Sequence, residues 1–509
     1  MKKLTFAQNT LLLLISNIAT GSLSFFFSII LSREIGAHGV GLYHMVMPTY
    51  SFFICFTCGG TATAISKIVA EKISKNNTRE LFKSITASIA FFSSWSIFVS
   101  IFVVIFAPYI SMSILKDERT YLAILMYIPA IIFITIGSIL KGYFYGVQNS
   151  SAPAVIDIFE KFIRVVVLLA LSEHLRKYGI KYQVAGAVLA MTAGEVTSTT
   201  LLYIAYKVSS SSVKTLTGKP DNVFQIMADV FKVSLPLCVN GFFSTMLGTF
   251  IAAMAPRRLQ AAGFAKETAL ALYGKVSGMG LTIVMFPAII IGAISIMLVP
   301  VISEASESRN TSAVNKRIYS VIKLAAVVAA VSAGLFFSMP KELGMMFYSR
   351  DDLGNIIFSL SFGLMASYIE STMFGILNGL GKQGILLRNT IILSIIDITI
   401  LYIFLAVSKI NIYAYAIDFA ISPLVGCILN YTSIARITGI YMDFREIVLF
   451  PLLISFAEII IINKLKSYMA FGNISTLILL FTGIAVYLLL YFILSPVFKR
   501  AIKQSPYTL

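Results

Sequence analysis

Of 509 residues, 58% are hydrophobic and 12% charged, with a mean hydropathy of +0.88; soluble domains carry about 25% charged residues, so a water-soluble globular body is excluded. The formal net charge of +17 sits in short loops between apolar runs, with no soluble basic domain to present it. That pattern fits cytoplasmic loop charge and excludes a nucleic-acid partner. Stretches of about 20 apolar residues, the length that crosses a bilayer core of about 30 Å, recur throughout and predict an all-α polytopic membrane protein.

In chain order, Lys2 and Lys3 precede a hydrophobic run as in a signal peptide, but no small-residue cleavage site follows, so a retained first helix is expected. Fourteen candidate spans lie near residues 10–31, 42–65, 84–107, 121–140, 155–172, 183–206, 232–255, 270–300, 318–339, 355–378, 385–407, 412–435, 446–463 and 473–494. Pro287 and Pro300 predict a kink or break in the long eighth run. With the amino terminus inside, 23 basic residues fall on inner segments and 14 outside, setting aside Lys161, Arg164 and Lys275 as intramembrane. This bias predicts two cytoplasmic termini, although the outer loop with Arg176, Lys177 and Lys181 runs against it.

An internal repeat organises the spans. Gly60-Thr-Ala-Thr-Ala-Ile-Ser in span two is echoed by Gly292-Ala-Ile-Ser-Ile-Met-Leu in span eight, 232 residues later. Gly142-Tyr-Phe-Tyr-Gly146 matches Gly375-Ile-Leu-Asn-Gly379 at an offset of 233, and Arg33 before Gly41-Leu42-Tyr43 is echoed by Arg257 before Ala271-Leu272-Tyr273. Six spans separate equivalent points, so the halves share one orientation. A parallel repeat of two six-helix lobes around a central cavity is the architecture of an alternating-access transporter. The expected divisions are an N-lobe at 1–220, a C-lobe at 221–440, and spans thirteen and fourteen with the tail at 441–509.

No nucleotide-binding loop is present, since Gly381-Lys382 is followed by Gln383 and Gly274-Lys275 by Val276. Cys55 and Cys58 have half-site spacing but lie in an apolar run without a second ligand pair, and read as packing. His38, His44 and His174 show no metal spacing. Neither cofactor nor metal is expected.

Charges inside spans cost about 2.5–3.5 kcal/mol each at a helix centre and are the strongest site signal. Asp157, Glu160, Lys161 and Arg164 follow i, i+3, i+4, i+7 spacing and share one helical face. That stripe reads either as an internal ion-pair ladder closed by Glu160 and Arg164, or as a cavity wall with Arg164 deepest. Glu195, Lys275, Glu370, Asp397 and Asp418 are further buried candidates, each as compatible with pairing helices as with binding substrate or ion. The offset of 233 places Arg164 and Asp397 at equivalent positions, where opposed charges could form a gate. Arg33 and Glu34 end span one beside Gly36 and Gly39 and read first as interfacial anchors. Glu458 in span thirteen would face lipid unless packed on span fourteen or the core.

The segment Ser-Arg33-Glu-Ile-Gly-Ala-x-Gly-x-Gly-Leu-Tyr43, and Gly142-Tyr-Phe-Tyr-Gly-Val-Gln148 followed by Pro153, with fourteen spans and a doubled core, resemble the polysaccharide-transporter branch of the multidrug/oligosaccharidyl-lipid/polysaccharide exporter superfamily. The resemblance covers essentially the whole chain. It implies a non-enzymatic flippase for a lipid-linked oligosaccharide, of lipid II type and serving spore-cortex peptidoglycan, with membrane lipids and cell-wall synthesis proteins as partners in the plasma membrane. In relatives that carry lipid II, arginines of spans one and two meet the pyrophosphate. Arg33 matches one such position, and no other arginine follows through Ser16, Asn17, Cys58 and Thr61. The expected substrate-binding set is therefore Arg33, Arg164, Lys275, Glu160, Glu195 and Glu370, with Asp397 and Asp418 as gate or ion-coupling residues. A drug or cation antiporter of the same superfamily usually stops at twelve spans. A membrane-embedded glycosyltransferase or polymerase would carry a sizeable loop with clustered Asp, Glu or His, and the loops here are short.

Overall fold

The computed structural model describes residues 6–211, 217–218, 222–292, 311–469 and 472–504. Among these the secondary structure is helical throughout, and the contacts divide the chain into two compact units, Met1–Gly274 and Lys275–Leu509. Among the described residues, eleven segments are long and apolar enough to cross a membrane, or twelve if one bent pair is a single span. The fourteen expected spans are not all met on these terms, for identifiable reasons. Spans one and two run together in one 64-residue helical segment, and the fifth carries too many charges to qualify.

The first unit holds α1 (Phe6–Cys58), α2 (Thr61–Ser74), α3 (Thr78–Tyr109), α4 (Tyr121–Gly146), α5 (Ser151–Leu175), α6 (Ile180–Ser211), α7 (Val223–Ala261) and α8 (Lys266–Gly274). At about 1.5 Å per residue, a straight α1–α2 would be on the order of 100 Å long, far more than a bilayer needs. It is not straight. Gly36 adopts φ 65°, ψ 175° inside α1, a combination essentially confined to glycine. Side-chain contacts show what this does. Ser16 donates to the Ala154 carbonyl at the start of α5 (2.9 Å), and Gly39 packs on Ile180 just beyond its end. The arm before Gly36 therefore runs alongside α5. Beyond it, Thr49 meets Tyr127, Thr57 meets Thr135 and Thr61 meets Ser138, so the second arm runs alongside α4. Helix α6 follows the same direction, with Thr192 on the Met126 carbonyl and Thr199 on that of Phe133. Helix α5 runs opposite, with Asp157 against Lys141 and Leu175 against Gly186. The chain thus reverses at Gly36.

Small residues set the close crossings, as expected between membrane helices. A Cβ added at Gly142 or Gly146 would strike the Ala62 and Ser66 carbonyls, each at 2.7 Å, so α4 lies backbone-close to α2. Gly41 and Gly274 meet in the same way where α1 crosses α8. At one end of the unit the Thr217 N–H donates to Thr78 (2.9 Å), and Asn77 caps α3 by accepting from the Glu80 N–H. Two loops that charge placed on one side are therefore stitched together.

The second unit opens with a π-helical turn, Lys275–Gly280, and the short α9 (Leu281–Met285), after which the helix breaks into a turn at Phe286–Pro287 as expected. The rest of the span-eight repeat motif, residues 293–298, lies with Pro300 outside the described residues. There follow α10 (Thr311–Ser338), α11 (Pro340–Tyr348), α12 (Gly354–Ser361), α13 (Leu364–Gly379), α14 (Gln383–Phe404), α15 (Ala414–Thr438), α16 (Phe450–Lys466) and α17 (Asn473–Gln504). Helices α12 and α13 meet at 61°. The Phe419 carbonyl of α15 occupies the space where a Gly363 side chain would stand. The core joins Ile318 and Ile322 of α10 to Ile369 and Met373 of α13 and to Ile434 of α15. Glu458 of α16 is buried between Gly334 of α10 and Gly483 of α17, so it packs on the protein.

Gly36→Ala should destabilise the protein by about 1–3 kcal/mol, the cost of a side chain in this backbone region. The thermal midpoint of the purified protein in detergent should fall, whereas Gly248→Ala, in open space on α7, should leave it unchanged. Equal midpoints for both variants would contradict the Gly36 turn.

Candidate functional site

Helices α4, α5 and α6 bring together the charged stripe of span five. Arg164 donates through one guanidinium nitrogen to Glu160 (2.5 Å) and to Glu195 on α6 (2.6 Å). Lys161 bonds the same Glu160 oxygen (2.8 Å), and Lys141 of α4 pairs with Asp157 (2.7 Å). Three cations face three carboxylates, so the cluster is balanced. Its burial makes that balance necessary: the Glu160 side chain is 3% exposed and that of Arg164 15%. Gly194 makes the room. A Cβ there would stand 2.7 Å from Arg164 Cγ and 3.1 Å from Nε. Arg164 Nε is buried without a hydrogen-bond partner among the described residues, so the guanidinium retains one unused edge. The hydroxyl of Tyr50, also buried and unbonded, lies within electrostatic reach of Arg164.

The second unit uses amides where the first uses ions. Glu370 accepts from Asn430 (3.1 Å), Asn430 from Asn389 (2.8 Å), and Asn389 from the Arg388 guanidinium (2.9 and 3.0 Å). Gly426 stands opposite Glu370, with a Cβ there 2.6 Å from its Cγ. Asp397 of α14 and Asp418 of α15 are half-buried within electrostatic reach of one another, and each has a carboxyl oxygen buried without a hydrogen-bond partner among the described residues.

Lys275 lies midway along the Lys266–Met285 segment, paired with Asp352 (2.6 Å), which also takes Arg350 (3.0 Å). The hydrogen bond from Arg350, with Lys275 beside it, lowers the Asp352 carboxyl to about 2 against the cost of its partial burial. Asp352 therefore stays ionised, and its ion pairs intact, from neutral pH down to strong acid. Arg33 is exposed at the end of the first arm of α1. Arg164, equivalent to Asp397 by the repeat, finds its partners within its own unit. Sequence reasoning named Arg164, Glu160 and Glu195 but not Lys141, Gly194 or the Arg388–Asn389–Asn430 chain. Lys141 interrupting an apolar run and Gly194 immediately before Glu195 were available signals.

Residues 6–306 match the family described as polysaccharide biosynthesis protein. The chain belongs to that family. Stage V sporulation protein B of Bacillus subtilis (strain 168) is 27% identical over 99% of this chain and 98% of its own length. Lipid II flippase MurJ of the same organism is 24% identical over 74% of this chain and 73% of its own. Among solved structures, lipid II flippase MurJ in an inward closed conformation matches with a TM-score of 0.67 at 16% identity, over 97% of this chain and 100% of that one. An inward-facing MATE family multidrug resistance transporter of the MOP superfamily matches with 0.66 at 15%, over 82% and 94%. The resemblance carried by Arg33–Tyr43 and Gly142–Gln148 agrees with these matches: the chain is a multi-pass membrane protein of the polysaccharide biosynthesis family, and its fold is like that of proteins described as flippases and multidrug transporters.

Removing Arg164 strands two buried carboxylates, a loss of about 3–5 kcal/mol for a broken buried pair. Arg164→Met should lower the thermal midpoint markedly, and adding Glu195→Gln should recover a substantial part of it. A double variant no better than the single one would show that Glu195 is not the partner.

Proposed function

We propose that the chain moves a lipid-linked sugar precursor, of lipid II type and serving spore-cortex peptidoglycan, across the bacterial plasma membrane by alternating access, with both termini cytoplasmic. The observation that carries this reading is the Arg164 cluster, an arginine held inside a membrane bundle by two carboxylates with one donor edge unused. A pyrophosphate cannot enter the bilayer without replacing its water, and a guanidinium offers planar donors that suit phosphate oxygens. In this reading Glu160 and Glu195 act as internal stand-ins for the anion, neutralising Arg164 when no cargo is present. Arg33, Lys275 and Glu370 are the further candidates for holding cargo charge. Asp397 and Asp418, neighbouring carboxyls of the second unit, suit ion coupling in a chain with no nucleotide-binding loop to supply energy. The partners are then polyprenyl pyrophosphate cargo, surrounding lipids and the enzymes of cell-wall synthesis.

The drug or cation antiporter is the second reading, favoured by the MATE likeness. Coverage supports the flippase class instead: the MurJ fold accounts for 97% of the chain and the MATE fold for 82%.

The test is head-group accessibility of labelled lipid II in vesicles containing the purified protein. Arg164→Ala should abolish flipping, and Arg164→Lys should restore only part of it, because lysine keeps the charge but loses the fork. The double variant Arg164→Ala with Glu160→Ala should remain inactive even where its stability recovers. Recovered flipping in that variant would make the cluster purely structural and remove Arg164 from the transport reading.

A further inference from the structure

At the end of the first unit where Gly36 turns, a cavity of about 240 Å³ opens among the α3–α4 turn, α7 and α8. Met45 and Leu270 form part of its apolar floor, while Lys116, Arg257, Lys266 and Asp117 supply its charge. Three cations thus meet one carboxylate, and that carboxylate is already satisfied. Asp117 takes a bidentate fork from Arg119 at 2.9 and 2.7 Å, and the Arg119 backbone N–H at 3.1 Å. Lys266 reaches it at 3.2 Å as a second cation. Glu267, nearby, turns to Arg119 at 3.7 Å. Positive charge is left over in the cavity.

The cations are also placed. Arg257 donates one guanidinium nitrogen to the Ile114 carbonyl, which fixes the group on the wall, while its Nε is buried without a partner among the described residues. Lys116 holds a left-handed backbone, φ 54°, at the end of the π-helical turn that closes α3, a conformation uncommon for residues other than glycine. Ser111 and Thr120 brace that turn through the Asp117 carbonyl, at 2.9 and 2.7 Å. With the cytoplasmic termini proposed above, these cations stand on the outer face, where the topological bias of membrane proteins disfavours them.

We propose that this cavity is an outer-face site for a phosphate-class oxyanion, the phosphate or diphosphate end of a lipid head group or the free ion, and that it holds cargo charge at the exit mouth. Its place in transport rests on the flippase reading; its ligand chemistry does not. Lysines act as point charges and arginine as a planar donor toward phosphate oxygens. At about 240 Å³ the cavity is smaller than typical pockets for drug-sized ligands; it suits a diphosphate and not a whole glycopeptide head group.

The test is calorimetric titration of the purified full-length protein with sodium pyrophosphate, in neutral detergent and in nanodiscs of phosphatidylcholine with or without phosphatidylglycerol. Binding should weaken as salt rises, and should weaken at least tenfold in Lys116→Gln/Arg257→Gln at unchanged thermal midpoint. The exposed Lys266→Gln, which carries little folding risk, should weaken it several-fold alone. Competition by phosphatidylglycerol would assign the site to lipid head groups; its absence would assign it to a diphosphate, and either result supports the shared chemistry. Wild-type protein that binds no pyrophosphate, or binding lost in Arg164→Gln but within twofold of wild type in the outer variants, would overturn the site. Because the titration needs no transport, protein that flips lipid II but fails it refutes this site alone. Protein that passes it but flips nothing refutes only the flippase reading.

Discussion

An ionised group in the hydrocarbon of a membrane must be neutralised where it stands, and Arg164 organises the first unit around that requirement. One guanidinium nitrogen serves carboxylates from two helices, which ties α5 to α6, while Asp157 reaches Lys141 and ties α5 to α4. The helix that composition marks as least suited to a bilayer is thereby held by ion pairs on its charged face. Gly194 is the enabling residue, since any side chain there would occupy the place of Arg164. The second unit solves a related problem with less charge. Gly426 admits Glu370, and the carboxyl is then passed along a chain of amides to Arg388.

How much of this was legible in sequence follows the range of the interactions. The stripe of Asp157, Glu160, Lys161 and Arg164 obeys helical spacing, so its shared face and the Glu160–Arg164 bond could be read directly. Glu195, 31 residues further on, could be named as a buried charge but not as the second ligand of Arg164, because only tertiary packing sets α6 beside α5. Lys275 is expected within the membrane and lies inside the Lys266–Met285 segment; its pairing with Asp352 depends on tertiary packing, which spacing along one helix does not reveal. Glu458 could be read only as facing lipid or packing on span fourteen or the core; the choice between them is made by Gly334 and Gly483, which lie on other helices. The reversal at Gly36 was foreshadowed by a glycine-rich, charged interruption between two apolar runs. Its φ of 65°, which makes the turn sharp enough to fold one helical segment into two antiparallel arms, is a property that glycine permits and sequence does not dictate.

The balanced cluster bears directly on mechanism. An arginine already neutralised by protein carboxylates does not attract an anion as a bare charge would. In the function proposed above it exchanges one anion for another, which keeps the empty site tolerable in a membrane and lets the returning carboxylate displace the phosphate on release. The chain that carries this cluster belongs to the polysaccharide biosynthesis protein family, is similar over its full length to Stage V sporulation protein B, and shares the MurJ fold over 97% of its length.

The most direct measurement is the affinity of undecaprenyl pyrophosphate for the purified protein in nanodiscs, compared among wild type, Glu195→Gln and Asp157→Asn. Both variants remove one negative charge from the same cluster, but only Glu195 bonds Arg164; Asp157 bonds Lys141. If Glu195 competes with cargo for the guanidinium, Glu195→Gln should bind about tenfold more tightly than wild type and Asp157→Asn much less so. Equal affinities in all three proteins, or equal tightening in both variants, would contradict exchange at Arg164.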